Sequence, residues 1–399
     1  MVAPFRSRLL AAAALLALLA PAGAARAKSW CAYPLWAHEW GVQVFDGGGA
    51  PKPGGGLPAW FHHATAGGTS ATPVRALPRD SGERDLPVLH FYTPGGGDVA
   101  VGLEVGFAHG AATAWYPDVD ALRPAAEANS KGAATAREAL LAARQVPPGE
   151  RAPGVLPADP TRQLVWERLD LAAAAPAPPR KTDAAWVLGA RALDGALWAT
   201  AHGESERFVF YEAKTAEKAP LALSRGPRWT AARRELVLEN TGAATLHDVT
   251  LVHREGGRAF LVTFARLDKG ARATFVLDDF AAADPRAAAE AQARAAWVDP
   301  ADPKPDMAWS WDFDHCVMMR DPAVPVEAAA DHRLYRAEVD LVLATWGPRL
   351  YGADGTTLAY REDTAALDAA MPLSVYTDMR HFVVLHRLGL GLVEHVALP

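Results

Sequence analysis

The chain has 399 residues and a net charge of −6, with half of its residues apolar and 22% charged. That balance is the one of a globular protein, and without a basic face it excludes nucleic acid as a partner. A chain this long exceeds what one hydrophobic core serves, so more than one domain is expected.

The N-terminus reads as a secretory signal peptide over residues 1–27. Arg6 and Arg8 precede Leu9–Ala20, an unbroken run of Leu and Ala, and Ala25-Arg26-Ala27 forms a small-residue cleavage site. The apolar run is too short to span a bilayer comfortably, and Lys28-Ser29-Trp30 ahead of Cys31 is the wrong context for a lipid anchor. No later stretch is long and apolar enough to cross a membrane. The expected protein is exported, periplasmic or extracellular, with no transmembrane segment once the signal is removed. Two cysteines, Cys31 and Cys316, are permitted a disulfide by that compartment. Closing so long a loop would contribute about 5 kcal/mol by chain-entropy reasoning.

From there the chain reads as mainly β. Trp36–Phe45 is a first strand, closed by Asp46 and three glycines. Trp60–Thr65 is ambiguous. Leu86–Thr93 is a strand ending at Pro94, and Val99, Val101, Leu103, Val105 and Phe107 alternate with small residues in the next. Ala111–Tyr116 follows and Pro117 stops it. These make a β region over 28–120. Residues 121–160 are Ala- and Pro-rich, with a helix-prone run at Lys131–Arg144, and read as an insertion or linker. Gln163–Leu171 is a strand, and Ala185–Thr200 fits helix or strand.

The clearest pattern lies inside residues 161–283. Leu236 and Leu238 alternate with Glu235 and Glu239, then Val249–Arg254 alternates, then Phe260, Val262 and Phe264, then Phe275 and Leu277. Asn240-Thr241-Gly242, Glu255-Gly256-Gly257 and Asp268-Lys269-Gly270 separate these rows, as turns separate consecutive antiparallel strands. Strands spaced about a dozen residues apart predict an antiparallel, Ig-like β-sandwich. The last region, 284–399, opens on a helix with Asp284 as N-cap and Pro285 at its first position. Trp309–Val317 reads as extended. A second helix is predicted over Val326–Trp346 from Tyr335, Val339, Val342 and Trp346, with Gly347-Pro348 ending it. Thr357–Arg361, Leu373–Tyr376, His381–His386 and Leu392–Val396 close the chain as strands.

Four of these stretches carry a resemblance. HEWG at His38–Gly41, PVLHFYT at Pro87–Thr93, AWYP at Ala114–Pro117 and ERFVFY at Glu206–Tyr211 occur in an order that resembles a family of uncharacterised exported bacterial proteins with a HEWG strand near the mature N-terminus. The helix ending at Trp346 and the closing strands look similar too. Val42-Gln43 and Asp85-Leu86 depart from the pattern, as do the Ala/Pro insertions. The resemblance implies an exported β-rich fold and no particular activity. It also singles out Arg207 as the cation for Glu39, if that carboxylate points inward.

The candidate chemistry is sparse. His38-Glu39 suggests acid–base or metal chemistry, but neighbours on a strand point to opposite faces, so only one of the two can enter a given site. The helical HExxH arrangement is absent. The structural alternative buries one of the pair against a charge partner and leaves the other solvated. His62 and His63 could join His38 at a metal, since imidazole suits zinc or copper, but loop histidines are commonly just solvated. His381 and His386 are five apart and so face opposite ways. Trp40, Trp115, Tyr116, Arg207 and Tyr211 are the candidate binding residues, and thirteen Trp serve either large cores or stacking platforms for sugars. The glycine triplets at 47–49, 54–56 and 95–97 lead into no phosphate-binding helix, and no nucleophile elbow is present. The sequence therefore predicts an exported, non-catalytic binding or structural protein with no cofactor and a cell-envelope protein or polysaccharide as its partner. The alternatives are an exported hydrolase or metal enzyme centred on His38 and Glu39, and a carbohydrate-binding module.

Overall fold

The computed structural model describes residues 33–45, 53–63, 82–93, 98–123, 163–299, 309–312, 317–320, 331–377 and 381–399. The expected signal peptide, both cysteines and nearly all of the Ala/Pro-rich segment lie outside the described residues.

In chain order the strands are β1 (Tyr33–Phe45), β2 (His62–His63), β3 (Gly82–Tyr92), β4 (Val99–Gly106), β5 (Gly110–Tyr116), β6 (Ala121–Arg123), β7 (Gln163–Ala172), β8 (Trp198–Ala201), β9 (Glu204–Glu206), β10 (Val209–Thr215), β11 (Leu221–Arg225), β12 (Glu235–Asn240), β13 (Leu246–Glu255), β14 (Arg258–Leu267), β15 (Arg272–Val276), β16 (Trp309–Asp312), β17 (Val317–Arg320), β18 (Gly355–Glu362), β19 (Leu373–Thr377) and β20 (His381–Val393). The helices are α1 (Ala185–Arg191), α2 (Pro285–Trp297), α3 (Arg336–Tyr351) and α4 (Thr364–Ala370). The fold is mainly β, as the alternating apolar rows require.

A nine-stranded sheet, in the order β14-β13-β18-β20-β1-β3-β10-β5-β2, forms the middle layer. It takes strands from each of the expected β regions, because β1 pairs in parallel with β20 along its whole length and antiparallel with β3. One face of this sheet packs against a six-stranded sheet through Leu35, Ala37, Leu89 and Phe91. Further along, the same face meets the small sheet β11-β12-β15 through Phe45, Leu251, Phe260 and Leu358. The other face carries α1, α2 and α3 over Trp40, Val42, Val88 and Leu388. With both faces covered, β1 is buried on both, which is why its apolar residues run nearly without a break.

The four rows seen in the sequence divide between two layers. β12 and β15 pair in the small sheet, while β13 and β14 form a hairpin at the edge of the large one. Gly256 and Gly257, at φ 56° and 76°, make that hairpin turn, which needs positive φ at both positions.

Two helical expectations are corrected. The second long helix starts at Arg336, not at Val326, and runs through Gly347-Pro348 to Tyr351. Proline in the last turn forfeits one backbone bond, but Leu350 and Tyr351 beyond it are buried in the core and hold the turn. The job of Gly347 is close approach: a Cβ there would lie 2.7 Å from Glu290 Oε1 on α2. The two C-terminal strands expected after His381 are one continuous strand, β20. Ala185–Thr200 divides into α1 and most of β8.

Candidate functional site

β1 places His38 and Glu39 on opposite faces of the central sheet, and both are buried, at 2% exposure each. The expectation that one of them is solvated is therefore corrected: a sheet covered on both sides leaves no wet face for β1.

On the helix face, three imidazoles share one rung. His38 lies opposite His90 on β3 and opposite His386 on β20, between an apolar rung of Trp36, Tyr92 and Val384 and another of Trp40, Val88 and Leu388. The His38 and His386 rings are 5.0 Å apart, and Tyr335 and Tyr92 also flank His38. From above, α3 lowers Glu338, whose Oε2 lies 2.8 Å from His38 Nδ1 and accepts from the Tyr335 backbone N–H at 2.9 Å. The same carboxylate thus caps the helix and anchors the histidine. His90 Nδ1 donates to the Arg207 carbonyl at 3.0 Å. His90 Nε2, His386 Nδ1 and Glu338 Oε1 are buried with no hydrogen-bond partner among the described residues.

Burial depresses the His90 pKa, and it holds His386 at about 4, with the charge of His38 adding to the effect. Burial pushes the Glu338 carboxyl upward, but the charge and hydrogen bond of His38 outweigh it and hold that carboxyl below the usual range. Among the described residues, no group of three or more His, Cys, Asp or Glu side chains has a geometry that could hold a metal ion.

On the sheet-packed face, Glu39 accepts from Tyr211 Oη and from Arg387 Nε, and Arg387 also donates to Asp368 at 2.6 Å. Glu39 and Arg387 are direct cross-strand partners. Arg207 is thus not the cation for Glu39. It sits at the start of the β10 segment, donating to the Leu193 carbonyl at 2.6 Å and stacking over Trp198 at 5.5 Å. Burial disfavours the charge on Arg387, yet Glu39 overrides it and raises its pKa, while burial and the Glu39 charge push the Tyr211 hydroxyl well up. A second buried pair follows the same face, with Arg84 held by Glu362 at 2.7 Å and Glu217 at 3.1 Å. Gly389 makes room for it, since a Cβ would meet Glu362 Oε2 at 2.6 Å. The cavity between the two pairs is about 10 Å³, room for a water at most.

His62 and His63 lie on β2, four strands from β1, roughly 19 Å at ~4.8 Å per strand. They do not converge with His38. His62 Nε2 instead bonds Glu204 Oε2 at 2.7 Å, with Asp118 at 4.0 Å. Its hydrogen bond to Glu204 raises the His62 pKa, against a smaller opposing effect of burial.

The aromatic candidates are core residues. Trp40, Trp115, Tyr116 and Tyr211 are 0–3% exposed, and among the described residues eight Trp are buried. This corrects the sugar-platform reading for these residues, because a stacking platform must present its ring to solvent.

The sequence reading missed His90, Glu338 and Arg387, and it set His386 aside. The alternation of Val88, His90 and Tyr92 matches that of Trp36, His38 and Trp40, and is the one local signal that pointed to a histidine rung.

No family model matches the chain, and no curated protein matches it. Among solved structures it is similar to the zebrafish (Danio rerio) Fcho1 mu homology domain with bound Eps15 peptide, at 8% identity over 92% of this chain and 96% of that one, TM-score 0.28. It is also similar to the yeast delta-COP-I mu-homology domain complexed with a Dsl1 WxWxV peptide, at 9% identity over 91% and 95%, TM-score 0.27. TM-scores this low establish neither shared topology nor shared function.

Proposed function

We propose that this chain is an exported, non-catalytic protein built on a β-sandwich scaffold, with a binding or structural role in the cell envelope. The observation that carries the reading is the fate of the first strand. His38 and Glu39, the pair best suited to acid–base work, are both buried, on opposite faces, each held by a charged partner. A general acid or base must reach its substrate within hydrogen-bonding distance, and these two are held by Glu338 and Arg387 beneath packed layers. Export rests on the charged start, apolar run and A-x-A site of residues 1–27. In that compartment the Cys31–Cys316 bridge belongs to the same proposal. No helix among the described residues is long and apolar enough to cross a membrane.

One observation favours a metal-dependent enzyme as the second reading. His90 Nε2 and His386 Nδ1 are buried without partners among the described residues on the rung that holds His38, as nitrogens kept for a metal would be. Elemental analysis of the purified exported protein, with thermal unfolding of His38→Ala, separates the two. The structural reading expects metal well below one equivalent and a melting temperature lowered by the variant. One equivalent of zinc that disappears in His38→Ala, with melting unchanged, would overturn it.

A further inference from the structure

The large sheet ends at β14, which pairs with β13 on one side. On its other side the chain itself adds two residues: Ala281 bridges Phe260, and the Ala282 N–H donates to the Ala259 carbonyl at 2.9 Å. That bond sets the alternation. If residue 259 turns its backbone groups outward, then Leu261, Thr263 and Ala265 do so as well. Antiparallel pairing places the residues ahead of Ala281 opposite Leu261 and beyond. There the chain turns into the 3-10 helix Leu277–Phe280, and among the described residues no backbone hydrogen bond runs from it to Thr263 or Ala265, so the outward groups of residues 263–265 are left uncovered. The stretch 261–265, Leu-Val-Thr-Phe-Ala, is rich in β-formers and holds no charge and no proline, the devices that normally guard an edge strand. Thr263 and Ala265 are exposed.

A pocket of about 210 Å³ opens beside the same stretch, between β14 and α2. Its walls are Thr263, Ala265 and the small residues Ala289 and Ala293 with Trp297. Asp248, Thr250 and Tyr351 also line it and supply polar groups. Asp248 stands at a β-bulge with φ 49°, and its Oδ2 accepts from Arg361 at 2.8 Å and Trp297 at 3.2 Å. A pocket with apolar walls and a few convergent polar groups is built to take one side chain and orient its tip.

We propose that residues 263–265 of β14 receive an extended peptide from another protein as an added strand, with one large side chain of that peptide entering the pocket. This rests on the binding reading above and names its surface. Backbone bonds to Thr263 and Ala265 supply strand pairing, and the pocket selects the inserted residue. The walls call for an aromatic or long apolar side chain, and Asp248 calls for a hydrogen-bond donor at its tip, as in a phenol. Arg266, exposed at the end of the free edge, already donates to Asp268 at 2.6 Å, and an acidic residue of the peptide would share that guanidinium. A second copy of this chain fits poorly. Antiparallel pairing of β14 with itself would bring only Leu261, Thr263 and Ala265 to the helix side, with Thr263 or Ala265 beside the pocket, and neither fills it.

The test uses a fluorescein-labelled seven-residue peptide of alternating valine and threonine around a central tyrosine, with glutamate at both ends, titrated against the whole exported protein. Thr263→Pro removes an outward N–H without touching the β13 ladder, and Ala296→Phe fills the pocket from α2. Saturable binding is expected for the wild type, weakened at least tenfold in each variant, with circular dichroism and melting close to wild type. Equal affinity in all three proteins, or no saturable binding, overturns the proposal. So does a wild-type dimer in light scattering that Thr263→Pro dissociates while the peptide goes unbound, since the occupant would then be a second copy. Metal content and the melting of His38→Ala are untouched by these outcomes, so the binding reading stands or falls separately.

Discussion

The two faces of β1 put ionisable groups in the same protein interior and treat them differently. On the Glu39 face, a carboxylate meets a guanidinium on the next strand and a tyrosine hydroxyl, and one Arg387 nitrogen has no partner among the described residues. On the His38 face, three imidazoles and one carboxylate leave three buried atoms without partners among the described residues. A carboxylate–guanidinium pair keeps its charges over the whole physiological range, so its geometry can be closed tightly. An unperturbed imidazole changes charge near neutrality, but burial lowers His90 and His386, so those two take up protons only as pH falls below it. The first face is a fixed joint, and the second is one whose charge depends on pH.

The largest effect belongs to the fixed joint. Glu39→Ala leaves Arg387 buried with only Asp368, which is itself half exposed. Breaking one side of a buried pair costs about 3–5 kcal/mol, so thermal unfolding should show a clear fall in melting temperature. An unchanged or raised melting temperature would remove the distinction between the two faces.

The next effect is on the other face and is driven by acid. His386 in the folded state titrates at about 4, and His90 is also lowered, against 6.5 when unfolded. Between those values the unfolded chain binds more protons, so stability is full above about pH 6.5 and falls as pH drops toward 4. His386 accounts for roughly 2 kcal/mol of that fall, after discounting for its partial exposure. Subtracting the melting curve of His386→Asn from that of the wild type, pH by pH, isolates the contribution. A difference that does not change between pH 7 and pH 4.5 would show that His386 carries no pH-linked stability.

Glu338→Gln is expected to cost less, about 1–2 kcal/mol. The amide keeps the shape and can still bond His38, but the charged acceptor is gone. Because the folded Glu338 carboxyl is held below its unfolded value, its contribution is complete above about pH 4.5 and is lost as pH falls further. Denaturant unfolding at pH 7 and pH 4 tests this: the loss should be smaller at pH 4, and equal losses would assign Glu338 to helix capping alone.

How much of this was legible follows from which contacts are local. The rows at Leu236–Leu238, Val249–Arg254 and Phe260–Phe264 showed their strands, because period two is written within a few residues and the Gly-Gly turn names its own hairpin. Asp284-Pro285 announced α2 for the same reason: the Asp284 side chain does accept from the Ala287 N–H. The opposite faces of His38 and Glu39 followed from alternation alone. The partners did not, since Glu39 and Arg387 are 348 residues apart and meet only because β1 inserts between β3 and β20. Spacing along one strand could not show His386 beside His38, because the neighbour comes from across the sheet. Pro348 misled because its local penalty is real, while the packing of Leu350 and Tyr351 that outweighs it is tertiary.

The smallest effect lies at the sheet's far edge and has the opposite sign. His62 bonds Glu204 and is about a third exposed. Its folded pKa is raised above 6.5, chiefly by that hydrogen bond. Its contribution is therefore complete below about pH 6.5 and disappears as pH rises through the raised value. Because the pair is partly solvated and screened, its worth is about 0.5 kcal/mol. His62→Gln should lower melting by a degree or so at pH 6 and leave it unchanged at pH 8.5. The His386 variant differs from wild type in the reverse direction, with its pH-linked term appearing only on the acid side. If His62→Gln lowered stability equally at both values, its ring would be acting through packing against Trp115 and Tyr116, onto which it stacks at 6.4 and 6.2 Å, and not through its charge.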